Sequence, residues 1–172
     1  MESEIKARIE NASLLRNLLK KLNAKFIRQA KQKDSYFSPP HKNFAGTLKY
    51  YLRIRAGEKN SFEYHVVQDD INTEEIGISI DNPETLEKIL LMLGFKKDCI
   101  VNKLREEFIL GNFFILIDHI EELGTFVEIE AKKEGTSSEE LFSMAEKLGI
   151  KKSMIVSGKG YPDMVMELNR SK

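Results

Sequence analysis

Much is missing from this chain of 172 residues. It has one cysteine, Cys99, so no disulfide framework and no cysteine metal cluster can form within it. It has no tryptophan, four prolines and three histidines. Its apolar runs, such as Phe113 to Ile117, are far too short to span a bilayer, so no membrane association is expected. The start is acidic and lacks an apolar core, so no signal peptide is expected, and a reducing cytoplasm is the simplest compartment. Neither sign of charge is in excess: 27 lysines and arginines balance 27 aspartates and glutamates. That balance argues against bulk nucleic-acid binding, which usually shows a basic surplus. No Gly-x-Gly-x-x-Gly, P-loop, Gly-x-Ser-x-Gly or zinc motif is present.

What is present is charge in a pattern. Hydrophobic residues make up 41% and charged residues 31%, and the length fits one domain over residues 1–172, or one domain of two similar halves. The first strand, Glu2 to Glu10, alternates charged and small or apolar residues, which places Glu2, Glu4, Lys6 and Arg8 on one face. Taken alone, that strand reads first as the solvated outer face of an edge strand.

Three helices are expected. Asn11 caps the first, with the stripe Leu14, Leu15, Leu18, Leu19 and Leu22. Asn82 and Pro83 open the second, with Leu86, Ile89, Leu90 and Leu93, and Gly94 stops it. Ser137 and Glu140 form a capping-box pattern before Leu141, Met144, Ala145 and Leu148. Strands are expected at Lys25–Phe37, Leu48–Ala56, Ser61–Gln68, Thr73–Ile80, Lys97–Leu110, Phe113–Ile120 and Phe126–Lys132. Ser38 to Gly46 reads as a loop, and the residues after Gly149 read as a short tail.

The chain also repeats itself. A shift of 71 positions carries Glu4-Ile5 onto Glu75-Ile76 and Ile9-Glu10-Asn11 onto Ile80-Asp81-Asn82. The same shift carries Leu15, Leu18, Leu19 and Leu22 onto Leu86, Ile89, Leu90 and Leu93. Gln32 and Asp34 then fall on Lys103 and Arg105, so equivalent positions carry different chemistry.

Charges recur at period two on further strands: Arg53 and Arg55, Lys103 and Arg105, Glu128 and Glu130. The residues between them are apolar: Ile54, Leu104 and Ile129. An ordinary solvent face mixes neutral polar residues with its charges. Pairs of one sign on several strands fit a sheet closed into a barrel, with the charged face inward and the leucine stripes covering the outside. Basic pairs then suit phosphate, and acidic pairs suit a hard divalent cation. Of the histidines, His41 reads as a solvated loop residue and His119 lacks metal-ligand spacing. His65 shares a strand face with Glu63, where it is either structural or in touch with a ligand.

Glu2-x-Glu4-x-Lys6 resembles the Glu-x-Glu-x-Lys signature of the CYTH superfamily. This group is also called the triphosphate tunnel metalloenzymes, and it joins class IV adenylate cyclases with thiamine triphosphatases. Gln32-x-Asp34-x-Tyr36-Phe37, Phe44, Thr47, Leu52-Arg53-Ile54-Arg55, Lys103-x-Arg105, Asp118, Leu123 to Glu130 and Tyr161-x-Asp163 resemble its later blocks in order.

The resemblance implies an α+β fold: a closed antiparallel eight-stranded barrel, a tunnel, with flanking helices and two pseudo-repeated halves. It implies that Glu2, Glu4, Glu128 and Glu130 hold Mg²⁺ or Mn²⁺. Lys6, Arg53, Arg55, Lys103 and Arg105, with His65 beside them, would bind the substrate. That substrate would be a small-molecule triphosphate: ATP, inorganic triphosphate or thiamine triphosphate. The expected activity is an adenylate cyclase of class IV type, with a triphosphatase or a triphosphate-binding module of little turnover as alternatives. The catalytic base is not identified, and the resemblance allows a homodimer. Two departures stand out. His65 occupies a position where many members have lysine. Thr73-x-Glu75-x-Gly77 stands where many have Arg-x-Glu-x-Glu.

Overall fold

A computed structural model describes residues 2–40 and 50–171, with Glu2 described by its backbone alone. His41, Phe44, Gly46, Thr47 and Leu48, named above, lie outside the described residues, as does the side chain of Glu2.

The elements run β1 (Glu2–Arg8), α1 (Ala12–Lys21), β2 (Lys25–Ser38), β3 (Tyr50–Ala56), β4 (Ser61–Val67), β5 (Asn72–Ser79), α2 (Pro83–Met92), β6 (Lys96–Leu110), β7 (Phe113–Ile120), β8 (Gly124–Ala131), α3 (Ser138–Lys147) and α4 (Tyr161–Arg170). The eight strands close into a barrel in the order β1-β5-β4-β3-β2-β6-β7-β8, every pair antiparallel. This is the α+β barrel with flanking helices that the charge pattern predicts.

Alternation decides which residues face in. In β1, Ile5 and Ala7 turn outward and join a core with Leu15 and Leu19 of α1 and Leu141 and Ala145 of α3. Glu4 and Lys6 are therefore left on the inner face. A second outer cluster sets Leu90 of α2 against Phe37 and Ile54. The helices start where the sequence predicts. The Asn11 side chain accepts hydrogen bonds from the Ser13 and Leu14 amides at 3.0 and 3.1 Å, and Asn82 accepts one from Thr85 at 2.8 Å. Ser137 and Glu140 complete the capping box. Such caps each contribute about 1 kcal/mol.

The repeat has a structural counterpart. β1 and β5 meet at Glu2↔Thr73 and Ser3↔Asn72. Glu2 and Thr73 are 71 positions apart, so the repeat's pseudo-twofold passes between them.

One expectation is corrected. The residues after Gly149 are not a plain tail. A 3-10 turn at Lys152–Met154 precedes a backbone bond from Val156 N–H to the Lys6 carbonyl (2.8 Å), and α4 follows. Pro162 in the first turn fits that helix start, and the Asp163 carboxylate accepts from the Gly160 amide at 2.8 Å. Tyr161 of α4 is buried with Tyr36, Cys99, Val101, Ile120 and Phe126 and covers one end of the barrel. Cys99 is core, as expected, and burial pushes its thiol up to about 12.

Candidate functional site

The inner face encloses a cavity of about 480 Å³. Its lining includes Glu4, Lys6, Arg53, Arg55, His65, Lys103, Arg105, Glu128 and Glu130, so the structure brings together every described side chain proposed for the site.

Register explains how so many charges coexist. Residues directly opposite one another on neighbouring strands have Cβ atoms roughly 5 Å apart, close enough for their ions to meet. Around this ring the opposed partners have opposite signs: Lys6↔Glu128, Asp34↔Arg55, Arg53↔Glu63 and Arg105↔Asp118. Each pairing is realised. The Lys6 ammonium lies 3.0 Å from Glu128 and 3.1 Å from Glu4. Arg55 grips Asp34 with Nε and Nη2 at 2.8 and 2.9 Å, and Lys103 approaches the same carboxylate at 3.3 Å. Arg105 grips Asp118 at 2.7 and 2.5 Å and also donates to Glu128. Arg53 donates to Glu63 and reaches Glu75 at 3.4 Å.

The pKa directions follow. Burial alone would raise the Asp34 carboxyl, but Lys103 and Arg55 outweigh it and hold the group far below the usual carboxylate range. Burial likewise opposes the Glu128 charge, and Lys6 and then Arg105 overcome it. Burial opposes the Lys6 charge too, yet Glu128 and Glu4 raise its pKa.

Glu4↔Glu130 breaks the pattern. Among the described residues it is the directly opposed pair of like charge on this inner face. Burial first, and the Glu4 charge second, push Glu130 up to about 7. Two carboxylates facing each other destabilise the fold unless something positive sits between them. Their hard oxygen donors fit a divalent cation of the Mg²⁺ or Mn²⁺ kind.

The wall of β4 and β5 differs from what the sequence departures suggest. His65 is 3% exposed. Its ring stacks on Tyr51 at 4.7 Å, with Nε2 3.4 Å from carboxylate oxygens of both Glu63 and Glu75. Burial lowers its pKa, only partly opposed by Glu63, so the ring is neutral at pH 7. Gly77 lies opposite Glu63 in the register, and a Cβ on Gly77 would fall 3.1 Å from the Glu63 Cγ. The Glu63 side chain therefore passes over the space that a side chain at position 77 would need. An acid missing from β5 is matched here by one on β4. Glu63, His65 and Glu75 also place three potential ligand atoms within 4.8 Å of one another, but the Arg53 guanidinium already contacts both carboxylates.

Sequence reasoning missed Glu63 and Tyr161 as parts of the site. The Tyr161 hydroxyl donates to Asp118 at 3.1 Å, and its ring lies under the Lys6 ammonium at 4.5 Å. The clue available for Glu63 was its period-two spacing from His65. For Tyr161 it was the Tyr-Pro-Asp helix start.

Comparisons with known proteins agree with this geometry. A Methanocaldococcus jannaschii protein, named provisionally as an adenylate cyclase, is 31% identical over 165 residues, covering 91% of this chain and 94% of that one. The solved structure of the PH1012 protein of Pyrococcus horikoshii superposes with a TM-score of 0.83 at 26% identity, covering 95% of this chain and 98% of the other. A Hippeastrum protein, described as an adenylyl cyclase candidate with a dominant triphosphatase activity, shares the fold at a TM-score of 0.67 and 17% identity, covering 98% and 96%. The model of the CYTH domain matches residues 1–159, which takes in all eight strands and each cross-strand ion pair of the cavity wall, and the chain belongs to that family.

Proposed function

We propose that this protein is a divalent-metal-dependent enzyme acting on a small-molecule triphosphate inside the barrel, with cyclisation of ATP to cyclic AMP and pyrophosphate as its leading reaction. The supporting observation is the Glu4↔Glu130 pair, a like-charge spot within a ring where other acids and bases cancel. Glu4 and Glu130 would hold Mg²⁺ or Mn²⁺, with Glu2 and Glu128 as neighbours in the acidic set. A divalent ion there supplies charge neutralisation and polarises phosphoryl oxygens. Lys6, Arg53, Arg55, Lys103 and Arg105 bind and orient the phosphates. Asp34 and Asp118, both fully buried, hold the Arg55 and Arg105 forks from behind. Asp34 takes the Arg55 Nε and Nη2, so a ligand would be met by the remaining Nη1. Neutral His65 contributes a hydrogen bond rather than a charge.

The name of the Methanocaldococcus relative supports the cyclase reading. A second reading, hydrolysis of the terminal phosphate, draws on the same charges. It is supported by the triphosphatase activity described for the Hippeastrum neighbour, whereas the neutral ring at His65, where many members have lysine, favours a binding module of little turnover. Product identity separates the two. The protein is incubated with Mg²⁺ or Mn²⁺ and ATP, inorganic triphosphate or thiamine triphosphate in parallel. Cyclic AMP with pyrophosphate is the expected result. Orthophosphate release would replace the cyclase with the triphosphatase, and binding without turnover would reduce the protein to a binding module.

Lys103 gives a pH prediction. Burial, with Arg105 adding to it, brings its ammonium down to about 8. A bound polyanion favours the charged form, so affinity for inorganic triphosphate is full below pH 8. Above it, affinity falls by up to about tenfold per pH unit. Titration calorimetry at pH 7 and 9 checks this. Lys103→Arg keeps its charge and should flatten the profile, and an equally steep loss in that variant would assign the titration to another group.

A further inference from the structure

A second group of donor atoms lies on the β4–β5 wall. His65 and Glu75 stand directly opposite each other in the register, and Glu63 precedes His65 by two residues on the same inner face. The His65 Nε2 lies 3.4 Å from a carboxylate oxygen of each glutamate. Both contacts are longer than the roughly 2.7–3.2 Å of a sound N–H···O bond. The imidazole of a residue only 3% exposed is thus aimed between two acids and held closely by neither.

The spacing suits a ligand set. An ion bound by nitrogen and oxygen at roughly 2.0–2.2 Å keeps its neighbouring ligand atoms roughly 3.0–3.5 Å apart. All three donors here fall within 4.8 Å of one another. Their orientation is fixed from behind. Tyr51 stacks on the His65 ring at 4.7 Å, and the Ser61 hydroxyl donates to the other oxygen of Glu63 at 2.5 Å. Outer contacts of this kind hold metal ligands in place. His65 and Glu75 line the cavity, which gives an ion its way in. The Arg53 guanidinium now serves as cation for these acids: it donates to Glu63 and reaches Glu75 at 3.4 Å.

We propose that Glu63, His65 and Glu75 form a separate site for a transition-metal dication of the Zn²⁺ class, which displaces Arg53 from the two carboxylates. The nitrogen sets the choice of ion. Imidazole suits Zn²⁺ and its transition-metal neighbours, whereas Mg²⁺ prefers oxygen ligands throughout. The site therefore differs in ligands and in metal from the all-oxygen pair at Glu4 and Glu130. A dication on the acids also frees the Arg53 guanidinium to meet an anion in the cavity. That last consequence rests on the proposed function; the metal site does not.

The test uses the full chain and Co²⁺, a coloured substitute for Zn²⁺. In millimolar Mg²⁺, which fills all-oxygen sites, the protein should bind one Co²⁺ and gain a visible absorption band. Glu4→Gln with Glu130→Gln should bind it equally, so failure of that pair as a metal site is not mistaken for failure here. His65→Phe keeps a ring against Tyr51 and should lose the cobalt. A His41→Gln, His119→Gln protein has His65 as its sole imidazole. It should show the hyperfine-shifted ring protons of a cobalt-bound histidine, a readout that does not depend on how His65→Phe folds. Arg53→Gln removes the competing charge and should bind Co²⁺ about tenfold more tightly. No cobalt bound over Mg²⁺, its loss in the Glu4, Glu130 variant, equal binding by His65→Phe, no shifted signal from His65, or weaker binding by Arg53→Gln would overturn the proposal.

Discussion

Glu4→Gln combined with Glu130→Gln is expected to lower metal-dependent turnover by about a thousandfold or more while leaving the protein as stable as before, or more so. Loss of one preorganised electrostatic contact in a closed site commonly costs a hundredfold to a thousandfold, and this variant removes both charges of the opposed pair. Stability should move the other way because the two carboxylates repel each other in the register. Their amide replacements keep the shape and remove the conflict. Two measurements are needed together: the rate with ATP or inorganic triphosphate at saturating Mn²⁺, and thermal unfolding without metal. Full metal-dependent activity in the variant would show that the cation sits elsewhere, with Glu63, His65 and Glu75 as the next candidates. A large drop in unfolding temperature would show that the pair is not in conflict.

Arg105→Leu is expected to produce the largest stability loss of any single substitution on the inner face, about 3–5 kcal/mol. Arg105 is the shared partner of Asp118 and Glu128, which are 0% and 5% exposed. Removing the cation leaves, among the described residues, Asp118 with the Tyr161 hydroxyl and Glu128 with Lys6. The energy is mainly the cost of stranding a buried charge rather than the worth of the pair, so the effect should shrink when the stranded acid is neutralised. Arg105→Leu with Asp118→Asn should recover a substantial part of the loss in urea denaturation. A double variant no more stable than Arg105→Leu alone would place the damage in packing instead.

Local pattern carried the barrel into the sequence. Period-two charge on β1, β3, β6 and β8 marked one face, and apolar residues between them marked the other. Leucine stripes at helical spacing showed what covered the outside. The shift of 71 positions foreshadowed the pseudo-twofold contact at Glu2 and Thr73. Pairing was not legible in the same way. Which acid meets which base depends on register between strands far apart in the chain, as with Arg105 and Glu128, or Lys6 and Glu128. That is a property of closure, not of any window of residues. The exchange between Glu63 and Gly77 is of this kind: each strand alone suggests a loss or a gain, and only their juxtaposition shows that one offsets the other. α4 was hidden for another reason. A single ten-residue helix after a glycine-rich stretch gives little periodicity, and its key residue, Tyr161, acts through contacts with β1 and β7.

The unequal halves give the tunnel a direction. A barrel of two identical halves would present the same wall to either end of a linear phosphate chain, which could then thread both ways round. Here the position that is Asp34 in one half is Arg105 in the other, and the position that is Gln32 is Lys103. If a linear phosphate chain is the ligand, as proposed, it would meet different side chains at these equivalent positions of the two halves. Divergence of the repeat, rather than any single residue, is what turns a symmetrical container into one with an entrance and a reading frame.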